Sequence, residues 1–285
     1  YNTIWIFGDS VTNGYGLKYT DTFYYYLDKA INFRKKNFNI FATSEYNNNI
    51  ISILESIEKN EDKFQKDDFL IFQFNYNDIL PAVYFKNNEI QNVKSEKNKF
   101  RNLVSFLDPL RFEYLNRSTF IRVLTHYVSI LKHDTKGECS TRGFGALGQY
   151  TYSYGSVSYK KESINSWNLF EEKLIKLKNF AEDKNLKFIV LISPISLQLK
   201  NHEKLNFHNF DLKCSTIDGR KKIIEMLNIN NIIYSDPLVL FEETTKIDSN
   251  EGNLEHLFFE YDTNHPNPKG NYLISISLFN TISNF

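Results

Sequence analysis

The stretch Trp5-Ile6-Phe7-Gly8-Asp9-Ser10-Val11, near the start of the chain, decides how the rest of the sequence is interpreted. The apolar run from Thr3 to Phe7 predicts a buried β-strand, which ends abruptly at Gly8. A serine directly after such a strand lies at the rim of a parallel sheet, where α/β proteins bind their ligands. Taken alone, Gly-Asp-Ser is better interpreted as a simple polar turn. Ser10 therefore becomes a candidate nucleophile only with support from elsewhere in the chain.

Four more apolar runs predict strands, and amphipathic segments predict the helices that connect them. The strands are expected at Asn37 to Thr43, Asp68 to Phe74, Lys187 to Ile192 and Ile232 to Tyr234. The helices are expected over residues 23–31, after a cap at Thr20 or Asp21, then over 50–57, 162–184 and 223–227, and from Pro268 onwards with Asn267 as the N-cap. This alternation predicts an α/β sandwich around a parallel sheet of about five strands.

The segment from Pro81 to Ser158 interrupts the regular pattern. It contains an apolar segment from Phe120 to Leu131 that predicts a helix, and a Gly- and Tyr-rich stretch from Gly137 to Gly155. It is too long for an ordinary connection between a strand and a helix. We therefore predict one domain over 1–285 with an insertion at 81–158 after the third strand. The insertion forms either a lid over the site or a structural extension of the core.

Length and composition favour one folded domain and argue against several classes of protein. The 285 residues suffice for one large hydrophobic core, and a hydrophobic fraction of 41% argues against intrinsic disorder. The 34 basic and 34 acidic residues give no net charge, so no nucleic-acid partner is expected. No apolar run in the sequence has the length of a transmembrane helix, so no membrane span is expected in this chain.

The two cysteines and the first residue bear on redox chemistry and processing. Cys139 and Cys214 belong to no CxxC motif or Cys/His cluster, so no zinc site is expected, while a disulfide between them stays open. The chain begins at Tyr1 with no Met and no signal-peptide pattern, which predicts a processed protein or a domain of a longer one. A periplasmic or extracellular location is preferred to a cytoplasmic one.

An acid and a histidine near the other end of the chain support Ser10 as a nucleophile. Asp262 precedes His265 by three residues, in a loop stiffened by two prolines. The carboxyl ends of parallel strands share one rim, so Ser10 and this pair are expected to meet there. His265 would then take the proton of Ser10, while Asp262 would orient the imidazole and stabilise its charged form.

Attack on an ester carbonyl creates an oxyanion that requires hydrogen-bond donors. Three candidates are predicted for this oxyanion hole: the backbone N–H of Ser10, the side-chain amide of Asn77 after the third strand, and the backbone N–H of Glu45 after the second. The remaining histidines have no context typical of a catalytic or ligand residue, and no role is assigned to them: His126, His133, His202, His208 and His256.

These residues resemble the motifs of the SGNH/GDSL family of serine esterases and acyltransferases. Gly8-Asp9-Ser10 is similar to the family's nucleophile motif, Asn77-Asp78 to its Gly-x-Asn-Asp motif, and Asp262-Thr263-Asn264-His265 to its Asp-x-x-His motif. All three occur in the family's order and span nearly the whole chain. The longer stretch from Gly8 to Gly16, followed by Asp21-Thr22-Phe23, resembles the bacterial lipase/acylhydrolase-like branch.

The resemblance implies a flavodoxin-like three-layer α/β/α sandwich, and the sequence departs from the family at two positions. Asn75 stands where the family has the glycine of Gly-x-Asn-Asp. Glu45 stands in the second block, where a glycine usually supplies an oxyanion donor. A backbone donor requires glycine only where the turn needs positive φ, so these departures concern the geometry of the oxyanion hole and the room for substrate.

Three functions are compatible with this set of residues. The first is a cofactor-free ester hydrolase that removes an acyl group, preferentially acetyl, from a carbohydrate or a small ester through an acyl-enzyme on Ser10. The second is an O-acyltransferase that passes the same acyl group to a hydroxyl of a cell-surface polysaccharide. The third is a non-catalytic carbohydrate-binding module with a relict site. The sequence places the esterase first and leaves the oligomeric state open.

Overall fold

The described part of the chain is an α/β fold built on a five-stranded parallel sheet. In this computed structural model the described residues are 2–33, 38–44, 49–79, 160–199, 217–250, 256–259, 262 and 264–285. The strands are β1 (Asn2–Gly8), β2 (Phe38–Ser44), β3 (Phe69–Phe74), β4 (Lys187–Ile192) and β5 (Ile233–Ser235). The helices are α1 (Ser10–Asn13), α2 (Phe23–Phe33), α3 (Ile50–Lys59), α4 (Lys160–Asp183), α5 (Gly219–Ile229), α6 (Leu238–Asn250) and α7 (Pro268–Ser283). Short 3₁₀ turns cover Tyr19–Asp21, Glu61–Lys63, Tyr76–Asp78 and Ser196–Gln198.

The order of the strands in the sheet determines which loops meet. The order is β2-β1-β3-β4-β5, and every neighbouring pair is parallel. β1 therefore pairs with β2 on one side and with β3 on the other, so the chain winds outward in both directions from the β1–β3 pair. This is a topological switch point, where the loops after the two strands diverge and leave a crevice for a ligand. The residues after β1 and after β3 line that crevice.

Two apolar clusters cover the two faces of the sheet, because side chains alternate along each strand. One face packs against α3, α4 and α5 through residues that include Trp5, Phe7, Leu70, Phe72, Ile53, Trp167, Phe170 and Ile223. The other face packs against α2, α6 and α7 through residues that include Ile4, Ile6, Ile71, Leu191, Phe23, Phe241, Ile274 and Leu278. The three layers α/β/α are thus confirmed. Within the described ranges, no helix has both the length and the apolar character needed to cross a bilayer.

The predicted strands and longer helices agree with the structure except at the start of α2 and at α6, and the one-turn helix α1 falls where a glycine-rich turn was predicted. The cap predicted at Thr20 or Asp21 is wrong, because the segment Tyr19–Asp21 forms a 3₁₀ turn and the helix begins after Thr22. The hydroxyl of Thr22 accepts a hydrogen bond from the backbone N–H of Tyr25 at 3.4 Å. Helix α6 was not predicted. The predicted insertion at 81–158 lies outside the described residues, as do Cys139, Cys214 and Glu45, so these predictions stay predictions.

Candidate active site

The chain turns sharply after β1 and presents Ser10 at the first position of α1. Asp9 precedes the helix, and its Oδ1 accepts a hydrogen bond from the backbone N–H of Val11 at 3.0 Å. Gly8 is required at the end of the strand, because a Cβ there would collide with the side chains of Thr12 and Gln73. A sharp turn into a helix exposes the hydroxyl of Ser10 at the rim of the sheet.

Gln73 on β3 holds this turn against the sheet. Its Oε1 accepts hydrogen bonds from the backbone N–H of Asp9 at 3.1 Å and from the Thr12 hydroxyl at 3.0 Å. Its Nε2 donates to the Ser193 hydroxyl at 2.8 Å, and the Gln73 side chain is fully buried. Sequence reasoning missed this residue, although it is the one polar residue in the apolar strand Phe69–Phe74.

A closed loop before α7 carries the acid and the histidine. Phe258 and Pro266 form an antiparallel bridge, and the backbone N–H of Phe259 donates to the carbonyl of His265 at 3.1 Å. Inside the loop, Oδ1 of Asp262 accepts the backbone N–H groups of Asn264 at 2.8 Å and of His265 at 3.1 Å. These bonds fix the carboxylate beside the imidazole before any substrate is present.

The structure brings Ser10, His265 and Asp262 together in one chain of hydrogen bonds. The Ser10 Oγ lies 2.8 Å from Nε2 of His265, and Nδ1 of the same ring lies 2.7 Å from Oδ2 of Asp262. The side chain of Asp262 is 25% exposed. Burial raises the pKa of Asp262, but the hydrogen bond and charge of His265, together with the two backbone N–H groups, outweigh it and hold that pKa below its ordinary value. The carboxyl group is therefore ionised at neutral pH.

Tyr15 contacts the imidazole from the glycine-rich loop after α1. Its ring centroid lies 4.7 Å from that of His265, with the two planes tilted by 36°. Gly14 and Gly16 flank it with φ of 71° and 77°, a backbone conformation that favours glycine. Tyr15 is 44% exposed, so it forms part of the mouth of the site. Sequence reasoning did not assign Tyr15 a role.

The turn after β3 accommodates the asparagine that replaces the family's glycine. Asn75 has φ of −125° and ψ of 153°, an extended conformation that any residue adopts. Its backbone N–H donates to Oδ2 of Asp78 at 2.8 Å, and its Nδ2 donates to Oδ2 of Asp9 at 3.2 Å. The side chain is buried against Asp9, so neither the backbone of this turn nor this side chain requires glycine at position 75.

Asn77 lies in the same turn and shares the Asp9 carboxylate. Its Nδ2 donates to Oδ2 of Asp9 at 3.3 Å. Burial raises the pKa of Asp9, while the N–H of Val11, the amides of Asn77 and Asn75 and the charge of His265 oppose that rise. Burial and the nearby Asp9 raise the pKa of Asp78 well above its ordinary value. Two acids thus lie buried below the nucleophile.

Neither Glu45 nor the unassigned histidines add a described residue to this site. Glu45 lies outside the described residues, and its role as an oxyanion donor stays a prediction. His256 is exposed and its carbonyl accepts a hydrogen bond from Nδ2 of Asn267, and the other unassigned histidines lie outside the described ranges. In the part of the chain that the structure describes, no group of three or more His, Cys, Asp or Glu side chains is arranged to hold a metal ion.

The sheet order and the layers define the class: the chain has the fold of the GDSL/SGNH hydrolases. Similar solved structures include a lipolytic protein of the G-D-S-L family from Veillonella parvula DSM 2008, with 14% identity, 100% of both chains covered and a TM-score of 0.51. The acetyl xylan esterase AlAXEase is 12% identical over 98% of this chain and 99% of its own, with a TM-score of 0.54. A mutant of Axe2, an acetyl-xylooligosaccharide esterase from Geobacillus, is 10% identical over 99% and 94%, with a TM-score of 0.51.

The likeness to these proteins is one of fold, and it confirms at that level the resemblance predicted from the motifs. No protein-family model matches the sequence, and no curated protein is significantly similar to it.

Proposed function

We propose that the protein is a serine-dependent ester hydrolase in which Ser10 is the nucleophile, His265 the general base and Asp262 the residue that orients the imidazole. One observation carries the proposal: the hydrogen bonds of 2.8 Å and 2.7 Å that join Ser10 Oγ, the two nitrogens of His265 and Asp262 Oδ2. A serine hydroxyl is a poor nucleophile at neutral pH unless a base accepts its proton, and this chain supplies the base and the group that orients it.

The reaction follows from these contacts in two halves. Ser10 Oγ attacks the carbonyl carbon of the ester, and its proton passes to Nε2 of His265. The resulting tetrahedral intermediate expels the alcohol, which takes that proton, and leaves an acyl group on Ser10. Water then attacks the acyl carbon, His265 accepts a proton from the water, and Ser10 leaves with that proton as the carboxylic acid is released. Asp262 stabilises the imidazolium formed in both halves.

Two donors for the oxyanion come from the turns after β1 and β3, which Asp9 joins by hydrogen bonds. The backbone N–H of Ser10 belongs to the first turn of α1, where N–H groups have no acceptor within the helix. The Nδ2 of Asn77 uses one hydrogen for Asp9 and keeps a second. Preorganised donors of this kind stabilise the negative charge that develops on the carbonyl oxygen. A third donor, the backbone N–H of Glu45, is proposed from the sequence.

The proposed substrate is an acetyl or other small acyl ester of a carbohydrate or small alcohol. Two solved structures with the same fold are named as esterases of acetylated xylan or xylo-oligosaccharides. Because one fold hosts many substrates, this likeness supports the class of bond more strongly than the identity of the sugar. The acyl-enzyme is common to hydrolysis and transfer, so the acceptor has to be measured.

A serine-directed fluorophosphonate probe and an acetyl ester test the proposal together. The wild-type protein should be labelled, and it should release acetate from 4-nitrophenyl acetate and from acetylated xylo-oligosaccharides. Ser10→Ala should abolish labelling and lower kcat by about 10⁶-fold, as removal of a nucleophilic serine does in a complete triad. Ser283→Ala is the control and should behave as wild type, because it lies in the last turn of α7, just before Phe285, which contacts Phe69 at the start of β3, the end of the sheet opposite Ser10.

Two outcomes would contradict the proposal in different ways. Labelling that persists in Ser10→Ala would assign the nucleophile to another residue. Acetyl groups that appear on an added oligosaccharide in preference to free acetate would make the protein an acyltransferase that uses the same three residues.

A further inference from the structure

The carboxylate of Asp9 joins the two turns that line the crevice. Its Oδ1 accepts the N–H of Val11 in the nucleophile turn at 3.0 Å. Its Oδ2 accepts the side-chain amides of Asn75 at 3.2 Å and Asn77 at 3.3 Å, both in the turn after β3. Asp9 is only 2% exposed, so water does not compete for these bonds. The carboxylate therefore fixes the distance and the orientation between the two turns.

The orientation of the Asn77 carboxamide depends on this contact. Its Oδ1 is buried and has no hydrogen-bond partner among the described residues, so the nitrogen end alone is anchored. An ionised carboxylate accepts hydrogen bonds and cannot donate them, and Nδ2 must therefore face Asp9. One hydrogen of Nδ2 is then committed to Asp9, and the direction of the other is determined by it.

Asn75 gives Asp9 a donor that the family's glycine would lack. Its Oδ1 accepts the N–H of Tyr76 at 2.8 Å, so the carboxamide is held at both ends and its Nδ2 points at Asp9. Asn75 is fully buried, and its hydrogen bonds among the described residues go to Asp78, Asp9 and Tyr76 rather than to Ser10, His265 or Asp262. Its side chain thus acts on the site through Asp9.

We propose that Asn75 and Asp9 form a clamp that orients the Asn77 carboxamide for the oxyanion, which makes both of them positioning residues. This inference rests on the proposed function of Asn77 in an ester hydrolase. Asn75 donates to Asp9 Oδ2 and shares that oxygen with Asn77, and it thereby favours the ionised carboxylate that Asn77 requires. The substitution that departs from the family is the one that completes the clamp.

The charge on Asp9 is the quantity that the clamp controls. Burial raises the pKa of Asp9, and the amide of Asn75 is one of the groups that oppose this rise. The titratable groups of the described chain that act on Asp9 are His265, whose charge favours ionisation, and Asp78, whose charge opposes it. Loss of the Asn75 donor should therefore raise the pKa of Asp9 further. A smaller ionised fraction of Asp9 would in turn weaken its hydrogen bond to Nδ2 of Asn77.

Two substitutions of Asn75 separate a clamp from a purely structural cap. Asn75→Asp keeps an oxygen for the N–H of Tyr76 and the shape of the side chain, but it replaces the donor to Asp9 by a second carboxyl group. Asn75→Ala removes both contacts. A clamp predicts that Asn75→Asp is the more impaired variant, with kcat lowered about tenfold or more, part of the loss expected when an oxyanion donor is removed. KM should stay near wild type, because Asn75 does not contact substrate. A structural cap predicts the reverse order.

A double-mutant cycle tests whether Asn75 acts through Asn77. In an Asn77→Ala background, Asn75→Asp and Asn75→Ala should have no further effect on kcat, because the group they orient is gone. Effects that persist in that background would overturn the proposal. The control is Asn230→Asp, because Asn230 also donates its amide to a carboxylate, Glu171 at 2.8 Å, away from the site, and it should leave kcat unchanged.

A spectroscopic measurement tests the clamp without activity, so that its failure is distinct from failure of the proposed function. In protein labelled with ¹⁵N-asparagine, the carboxamide signals of Asn77 are identified by their loss in Asn77→Ala. The chemical shifts of these signals should change with pH as Asp9 titrates. The midpoint of that change should lie at a higher pH in Asn75→Ala, and the change should disappear in Asp9→Asn. Movement that survives in Asp9→Asn would belong to Asp78 or His265 and would overturn the clamp. A protein with no esterase activity that passes this test refutes the function and keeps the clamp.

Discussion

Asp262 is connected to Ser10 through His265, and Asp9 directly precedes Ser10 and caps its helix. The surroundings of the two carboxylates are nevertheless opposite. Asp262 lies in a partly exposed loop and faces Nδ1 of His265, a group that can become a cation. Asp9 is buried and accepts only neutral N–H groups through its two oxygens. The pKa of Asp262 lies below its ordinary value, whereas burial raises the pKa of Asp9. On the proposed function, Asp262 would stabilise a charge that appears during the reaction, whereas Asp9 would fix geometry at a cost in solvation.

The two groups also contribute to stability with opposite dependence on pH. The folded pKa of Asp262 is below its unfolded value of about 3.9, so its contribution is present above that pH and is lost as pH falls through the folded pKa. The folded pKa of Asp9 lies above the same unfolded value. The contribution of Asp9 to stability is therefore fully present below the unfolded pKa and is lost as pH rises through the folded pKa.

Among the substitutions that test this comparison, Asp262→Asn has the largest expected effect and tests its charged side. The amide would donate to Nδ1 and hold the imidazole in the tautomer whose Nε2 carries the proton, so His265 could no longer accept the proton of Ser10. Kcat should fall by about 10⁴-fold, as it does in other serine triads when this acid becomes an amide. Steady-state kinetics on an acetyl ester measures it. A variant close to wild type would mean that the loop alone orients His265.

Asn77→Ala tests the neutral side and should have a smaller effect. Removal of one oxyanion donor lowers kcat by about 10²- to 10³-fold in serine hydrolases, with little change in KM. The same assay gives both constants, and thermal unfolding of the variant checks that the turn still folds. An unchanged kcat would show that backbone donors stabilise the oxyanion alone, and Asp9 would then have no amide to position for it.

The charged side of the comparison could be predicted from the sequence, whereas on the neutral side only Asn77 could, and not its bond to Asp9. Ser10 follows an apolar run, and Asp262 precedes His265 by three residues in one loop, so short-range spacing and the convergence of parallel strands were sufficient. The hydrogen bonds of Asp9 to Asn75 and Asn77 join residues more than sixty positions apart, across the β1–β3 pair. They depend on a strand order that a single sequence does not reveal.

The two helix-level errors have a more local origin. Helix α6 was missed although Asp236-Pro237 is a typical start signal, and the Asp236 carboxylate does accept the N–H of Leu238 at 3.1 Å. The predicted cap at Thr20 or Asp21 failed because the residues before Thr22 close a 3₁₀ turn of their own, with the N–H of Thr22 donating to the carbonyl of Tyr19 at 3.2 Å. Both start signals were in the sequence, and for the second the backbone hydrogen bonds of the 3₁₀ turn decided between the alternatives.

Asp78→Asn sharpens the comparison by removing a buried charge while keeping its hydrogen bond. The amide oxygen can still accept the N–H of Asn75, as a protonated Asp78 does. The pKa of Asp78 is raised well above its ordinary value, so the wild type should lose stability as pH rises above about 4, by about 1.4 kcal/mol for each unit of that shift. Denaturant unfolding should find the variant equal to wild type at pH 4 and more stable at pH 8. If the free energies of unfolding of variant and wild type changed in parallel between pH 4 and pH 8, the raised pKa of Asp78 would be contradicted.

Tyr15→Leu has the smallest expected effect and asks whether Asp262 alone stabilises the imidazolium. The Tyr15 ring lies 4.7 Å from the imidazole and can favour its cationic form through the π face. At a partly exposed site such a contact is worth about 0.5–1 kcal/mol, so kcat should fall by about two- to fivefold. Tyr15→Phe keeps the ring and should retain wild-type kcat. If Tyr15→Phe and Tyr15→Leu lower kcat equally, the hydroxyl of Tyr15 is the group that matters and its ring is not. The imidazolium would then be stabilised by Asp262 without help from the ring, and the contrast between Asp262 and Asp9 would be sharper.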